Sequence, residues 1–431
     1  MKIWMFVYNN CKHDARVLKE ARTLTEAGHE VKIVAILDRE TEPVEVKDGF
    51  RILRVNRLLP LNQQVHQTST RAEDGENRSL RKSLFNIYAS VYRWAKNHTR
   101  GPLRKFLVAI YRPLSFLKYY RNSWKLVKNE PADVYHCHDL NTLLLGYLAR
   151  RRHGGKLVYD SHELATELAY IFRHERLVWK VLERLLIHRA DRVIATGKHR
   201  GEYLEKKYGI SPPTVLLNCP PAYRELNPGG ITLRDKLELV DSSTPVVLYS
   251  GGFQVGRALP NLIRAAAYLT RGVMVFMGWG ALEQELKDTV REEGLDGKVL
   301  FLESIPPYKI VDFITSATVG VVPAQFTSLN NYYATPNKLY EYIQAGLPVV
   351  SSNFPALQEI VEGYGFGKTF DPEIPQNIAD SINYVLADKN RYNEMRKNAL
   401  EAAKIFNWEN ESVNLINIYE QFQISKNDSP T

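Results

Sequence analysis

The stretch IWMFVYNNCKHDARVLKEARTLTEAGHEVKIVAIL, Ile3 to Leu37, decides the fold. Ile3–Tyr8 is an apolar run of strand length that gives way to Asn9-Asn10. From Asp14 to Ala27, Val17, Leu18, Ala21 and Leu24 recur at helical spacing, so this segment predicts an amphipathic helix. Gly28 ends it, and Val31–Leu37 is a second apolar run of strand length. Strand, helix and strand in succession point to a parallel α/β sheet.

Working outward, the alternation resumes at DVYHCHD, KLVYDSHE and DRVIATG, each strand-like and each ending in polar residues. PAYRELNPGG (Pro221–Gly230) reads as a linker, after which PVVLYSGG, VMVFMGWG, KVLFLES, VGVVP and LPVVSS start a second run. A chain of 431 residues exceeds one ordinary core. The expected fold class is therefore α/β with two doubly wound domains, 1–225 and 226–407, and a closing segment 408–431. Open parallel sheets bind ligands beyond the carboxyl ends of their strands. Gln63–Ser79 reads as a polar loop. Residues 81–128 form a basic, aromatic segment without an acid, and about 61–128 as a whole is read as an insertion in the first domain.

Composition narrows the function. No apolar run reaches the roughly 18 residues of a membrane span, and Ile3–Tyr8 is too short for a signal segment. Cys11, Cys137 and Cys219 are few and widely spaced, with no CxxC pair, so neither a disulfide framework nor a zinc site is expected, and a reducing cytoplasm is. The net charge of +9 divides into +16 for residues 1–225 and −7 for 226–431, so one half is suited to an anionic partner. In the basic segment, Trp94, Phe106, Tyr111, Phe116, Tyr119, Tyr120 and Trp124 interleave with Lys and Arg. Such a pattern fits an anionic membrane with aromatics at headgroup depth, or plain amphipathic helices. No nucleic-acid motif accompanies it, so no nucleic-acid partner is expected.

TPNKLYEYIQAGLPVV (Thr335–Val350) reads as a capped helix with Thr335 at the N-cap, Pro336 at the first helical position and Gly346 as the stop. A helix start carries unpaired N–H groups and partial positive charge, and Lys338 adds a full one. Glu341 lies about 7 Å further along the axis, where a carboxylate could accept from ribose hydroxyls; an ordinary Lys338–Glu341 pair is the plainer alternative. In YSGGFQVGRALPNLIRAA (Tyr249–Ala267), Gly251 and Gly252 let the backbone approach a diphosphate that Arg257 could fork onto. GWGALEQE, from Gly278, has Glu283 where the dinucleotide fingerprint needs its third glycine, which counts against a nicotinamide dehydrogenase. HCHDLN and YDSHEL close two strands. His162 and Glu163 could orient a sugar or handle a proton, Asp139 could contact a hydroxyl, and His138 reads as structural. Metal-ligand types are present here without the helical spacing of a zinc protease, and no Asp-x-Asp or GxSxG occurs, so no metal or other cofactor is expected.

Together these stretches resemble the retaining nucleotide-sugar glycosyltransferases of family 4, of GT-B architecture, in which two Rossmann-like domains face a cleft. The resemblance runs from DARVLKEARTLTEAGHEVKIVAI through HCHDLN and YDSHEL to Tyr249–Asn353, and closes with FNWENESVNLINIYEQF, similar to the family's final helix that returns to the first domain. It implies a sugar transferred from a nucleotide diphosphate to an acceptor with retention. Arg257 would bind the diphosphate beside Gly252, Asn337 and Lys338 would supply the phosphate-binding helix start, and Glu341 would bind the donor ribose. His162 would face the transferred sugar, and Glu303 to Ile305 would meet the nucleobase. Tyr333 stands where the family's first glutamate would, and Gly252 replaces an arginine. The expected acceptor is a lipid-linked or envelope glycan, and the expected location is the cytoplasm, peripheral on the inner membrane face through residues 81–128. A sugar-nucleotide epimerase and a non-catalytic membrane module remain as alternatives.

Overall fold

A computed structural model describes residues 1–57, 102–169, 172–223, 230–237, 241 and 243–427. The expected polar loop Gln63–Ser79, residues 81–101 of the basic segment, and 224–229 of the linker lie outside them. Contacts divide the chain into two units: Met1–Ser161, Val181–Val193 and Ile418–Thr431 in the first, His162–Lys180 and Ile194–Asn417 in the second. The segment Ile418–Thr431 is counted with the first unit, and the chain also passes between units at His162–Lys180 and Val181–Val193.

The first sheet has strands β1 (Lys2–Phe6), β2 (Glu30–Leu37), β3 (Val44–Lys47), β4 (Phe50–Asn56), β5 (Val134–His138), β6 (Lys156–Ser161), β7 (Arg192–Ala195) and β8 (Thr214–Val215), in the order β3-β4-β2-β1-β5-β6-β7-β8. β3 and β4 pair antiparallel. That hairpin turns at Asp48-Gly49, both at positive φ (49° and 84°), which two-residue hairpin turns of the primed kind require. The order reverses between β1 and β5, so β1 and β5 open their carboxyl ends, Tyr8–Cys11 and Asp139, at a topological switch point.

The helix expected after β1 is Ala15–Glu26; Asp14 caps it by accepting from the Val17 N–H at 3.2 Å, and Gly28 leaves at φ 84°. Its buried face holds Val17, Ala21 and Leu24, and also Arg16 and Glu20. The basic segment enters as the helix Pro102–Val127. Its aromatics turn inward from residue 116 onward: Phe116 stacks on Tyr8 at 4.2 Å, the Tyr119 hydroxyl donates to the Val7 carbonyl at 3.1 Å, and that of Tyr120 to the Asn141 carbonyl at 2.9 Å. The expectation of aromatics at headgroup depth fails for these three, because each ring closes the first unit's own core.

In the second unit, strands β9 (Val246–Ser250), β10 (Val273–Met277), β11 (Val299–Leu302), β12 (Val319–Val322), β13 (Val349–Ser352) and β14 (Gly367–Phe370) form a parallel sheet in the order β11-β10-β9-β12-β13-β14. It reverses between β9 and β12. Near that point the helix Asn337–Gln344 lays the Tyr342 ring on Gly320 of β12, where an added Cβ would come within 2.4 Å of the ring. The Tyr342 hydroxyl donates to the Leu248 carbonyl (3.1 Å) and accepts from the Ser250 N–H (2.8 Å). With Leu339, Tyr340 and Ile343 also buried, at roughly 1.5–3 kcal/mol per large apolar side chain, the helix is fixed to the end of β9. No described helix is long and apolar enough to cross a membrane.

Candidate functional site

The second unit's site grows from the carboxyl end of β9. Tyr249 is buried under the turn, and its hydroxyl donates to the Gly252 carbonyl at 2.8 Å. Arg257, just before the helix Leu259–Ala265, directs Nη1 to the same carbonyl at 3.1 Å and to the Tyr249 hydroxyl at 3.3 Å. From the helix Asn337–Gln344, Lys338 brings its Nζ 3.6 Å from the Tyr249 ring centroid, over the π face. Both cations close on Gly251: a Cβ there would lie 2.9 Å from Lys338 Nζ and 3.2 Å from Arg257 Nη1, and φ is 136°. Gly278 is equally constrained, since its Cβ would fall 2.0 Å from the Gly251 carbonyl oxygen. These glycines therefore serve close backbone approach.

The electrostatics are unusual for a protein interior. Burial pushes the Lys338 ammonium well below its ordinary pKa, and Arg257 pushes it further, while Glu341 opposes both. Neither Lys338 nor Arg257 forms an ion pair with a carboxylate among the described residues; their recorded partners are a ring face, a hydroxyl and a carbonyl. Pro336 occupies the N-cap of the helix, without a side-chain cap hydrogen bond. This corrects the reading of Thr335 as the cap, for Thr335 Oγ1 donates instead to the Thr196 carbonyl at 3.4 Å. Two cations and an uncapped helix start thus belong to one turn of β9 and the helix behind it, an arrangement suited to a polyanion.

The other expected donor residues lie in the same unit. Asn337 is exposed and its Oδ1 accepts from Asn218 at 3.0 Å; Glu341 is half-buried on the helix. Glu303 is exposed past the end of β11, and Ile305 leans on the unit's core. Sequence reasoning missed two exposed aromatics there, Trp279 after β10 (71%) and Tyr308 after β11 (78%). Tyr333, where a glutamate was awaited, stacks nearly parallel on His199 with centroids 6.0 Å apart.

His162 is half-buried and Glu163 exposed, both counted with the second unit. The His162 carbonyl accepts from Thr196 Oγ1 (2.9 Å) and Arg200 Nη1 (2.6 Å), and Asn330 Oδ1 accepts from the Leu164 N–H at 2.9 Å. Asp139 belongs to the first unit, at φ 66° and ψ 161°, a conformation costly for a side chain other than glycine. Its N–H donates to the Asp160 carbonyl at 2.8 Å, which holds it there.

Beneath Asp139 lies a charge network that the sequence did not disclose. Asp160 takes a fork from Arg16 (2.9 and 2.8 Å), and Arg16 also meets Glu20 at 2.9 Å. His138 Nδ1 lies 3.3 Å from Asp160 Oδ2, His136 Nε2 lies 3.5 Å from Glu20 Oε2, and the two rings stack at 4.5 Å. Tyr419 closes the far side, its hydroxyl 2.7 Å from His136 Nδ1. All are buried. Glu20, His136, His138 and Asp160 are metal-ligand types with ligand atoms within 4.8 Å of one another, but Arg16 engages both oxygens of Asp160. His138 is thus turned inward, as a structural residue.

Comparison with known proteins accords with this geometry. Residues 14–220 match the family model described as Glycosyl transferase 4-like domain, and residues 233–402 the model described as Glycosyl transferases group 1. The chain is 25% identical to a D-inositol 3-phosphate glycosyltransferase of Rhodococcus jostii (strain RHA1), over 70% of this chain and 69% of the other. To the protein of the same name in Corynebacterium glutamicum (strain R) it is 24% identical, over 91% and 98%. Among solved structures, sucrose-phosphate synthase from Thermosynechococcus elongatus superposes with a TM-score of 0.73 at 17% identity, over 99% of this chain and 100% of that one. Anabaena Alr3699/HepE in complex with UDP-glucose gives 0.63 at 16%, over the whole of both chains.

Proposed function

This chain belongs to the group 1 glycosyl transferases, of GT-B architecture, and from that premise we propose that it moves a sugar from a nucleotide-diphosphate donor to an acceptor with retention of configuration. One observation carries the reading: Lys338 and Arg257 converge on Gly251, and neither forms an ion pair with a carboxylate among the described residues. A diphosphate supplies the missing negative charge. Glu341 then accepts from the ribose, and the backbone from Glu303 to Ile305 meets the base. The UDP-glucose in the Anabaena structure makes a uridine nucleotide the first donor to try.

In the reaction, an acceptor hydroxyl attacks the anomeric carbon from the face the diphosphate leaves. The new glycosidic C–O bond forms as the bond to the phosphate oxygen breaks, and the departing phosphate takes the acceptor's proton. Lys338, Arg257 and the helix start stabilise the charge growing on the leaving group. His162 and Glu163 orient the transferred sugar. No metal or other cofactor enters this scheme. The acceptor is a lipid-linked or envelope glycan met at an anionic membrane surface on the cytoplasmic side.

A second reading rests on Tyr333, whose packing on His199 fills the position of the family's first carboxylate. A non-catalytic nucleotide-binding module would keep Lys338 and Arg257 and show no turnover. An epimerase would turn over its nucleotide sugar without any acceptor.

The test is thermal unfolding against UDP, GDP, ADP, TDP and CMP. Ligand at about 100 times its Kd adds about 2.7 kcal/mol, a shift of several degrees at ~2–4 °C per kcal/mol. One nucleotide diphosphate standing out, with the shift lost in Arg257→Ala, is the expected result. Equal indifference to all five would overturn the donor assignment.

A further inference from the structure

The helix Arg173–Leu186 is amphipathic in the unusual sense, with its apolar stripe outward. Leu177, Val178, Val181 and Leu185 are 65, 55, 51 and 62% exposed. At 3.6 residues per turn they fall within an arc of about 100°. The opposite arc is covered: Glu183 and Leu186 are buried, and Glu175, Trp179 and Leu182 are partly so.

Charge is sorted by the same division. Both acids of the helix lie on the covered side, and Glu183 Oε1 accepts from the buried Tyr159 hydroxyl at 2.9 Å. Every exposed ionic side chain of the helix is basic: Arg173, Lys180 and Arg184, with Lys180 also 3.9 Å from Glu167. Arg189 follows, exposed, just beyond its end. Large apolar side chains flanked along one edge by cations and free of acids match the interface of an anionic bilayer, where the apolar groups enter the acyl boundary and the cations meet headgroup phosphates.

We propose that the outward face of Arg173–Leu186 docks this protein on an anionic lipid surface. A second copy of the chain fits less well, because antiparallel twofold pairing of the stripes would set Arg173, Lys180 and Arg184 of one copy beside the same cations of the other. The proposal rests on the reading of a membrane-side acceptor and assigns the contact to a different element from the 81–128 segment, whose described aromatics beyond residue 113 serve the core.

The experiment is flotation of the full chain with phosphatidylcholine vesicles, with and without phosphatidylglycerol. The native protein is expected to float with the anionic vesicles and to stay behind with the neutral ones. Leu177→Gln with Leu185→Gln, and separately Arg173→Glu with Arg184→Glu, are each expected to weaken partition on the order of tenfold or more, with the melting temperature unchanged. No flotation of the native protein, or undiminished flotation of the leucine variant, overturns the proposal. So does a dimer in solution that the leucine substitutions dissociate. Stabilisation by nucleotide, measured on the same proteins without lipid, tests donor binding separately, so a failure of either reading is recognised by itself.

Discussion

Each unit holds a group of buried or half-buried charges near its strand ends, and the two are built on opposite plans. In the first unit Arg16 faces Glu20 and Asp160, and the two histidines lie against the same carboxylates. In the second, Lys338 and Arg257 meet over Gly251 against a ring face, a hydroxyl and a carbonyl, with no ion pair to a carboxylate among the described residues. Removing a charge from water costs several kcal/mol unless a partner compensates. The first group therefore holds its own unit together, while on the proposed function the second is held by its unit and would be relieved by a bound diphosphate. Residue type does not separate scaffold from site here; pairing does.

The largest effect should come from breaking the paired group. Asp160→Asn leaves Arg16 without its fork and should lower unfolding stability by about 3–5 kcal/mol, read by denaturant titration. A loss below about 1 kcal/mol would mean that the network is not the scaffold described. Next, Lys338→Met should cut transfer by about 10²–10³-fold, or ~2.7–4 kcal/mol, yet make the ligand-free protein more stable. The sign follows from linkage. Between the depressed native pKa of Lys338 and the ordinary lysine value of about 10.4, the unfolded chain binds more protons, so native stability rises with pH across that window. Lys338→Met should flatten that rise, and within that same pH window nucleotide diphosphate binding to the native protein should take up a proton, measured by calorimetry in buffers of different ionisation enthalpy.

Smaller changes sharpen the contrast. Gly278→Ala drives a methyl into the Gly251 carbonyl and should cost about 1–3 kcal/mol, together with nucleotide affinity, because the loop under both cations must shift. Tyr419→Phe removes one hydrogen bond from His136 and should cost ~0.5–1.5 kcal/mol, with nucleotide-induced stabilisation intact.

The second plan was far more legible in sequence than the first. Gly251, Gly252, Arg257 and Lys338 sit where a strand ends and a helix begins, so local pattern announces them. Arg16 and Glu20 carry no such mark. Their helix reads as amphipathic through Val17, Ala21 and Leu24, and the Asp160 that justifies burying Arg16 lies 144 residues away. Periodicity also cannot tell which face of a helix meets solvent, and this is why the outward stripe of Arg173–Leu186 shows only in three dimensions. The Asp48-Gly49 hairpin, by contrast, was readable from its turn residues and was passed over among the longer apolar runs. Thr335 deceived for a local reason, since a hydroxyl can bond back to Thr196 as readily as cap the helix it precedes.

Tyr419 carries a consequence for the order in which the molecule is made. Its partner His136 leaves the ribosome 283 residues earlier. At roughly 5–20 residues per second that is a wait on the order of tens of seconds. Throughout it, the first sheet exists in the cell without the ring that seals its buried histidines. A nascent chain can therefore complete its second unit before its first.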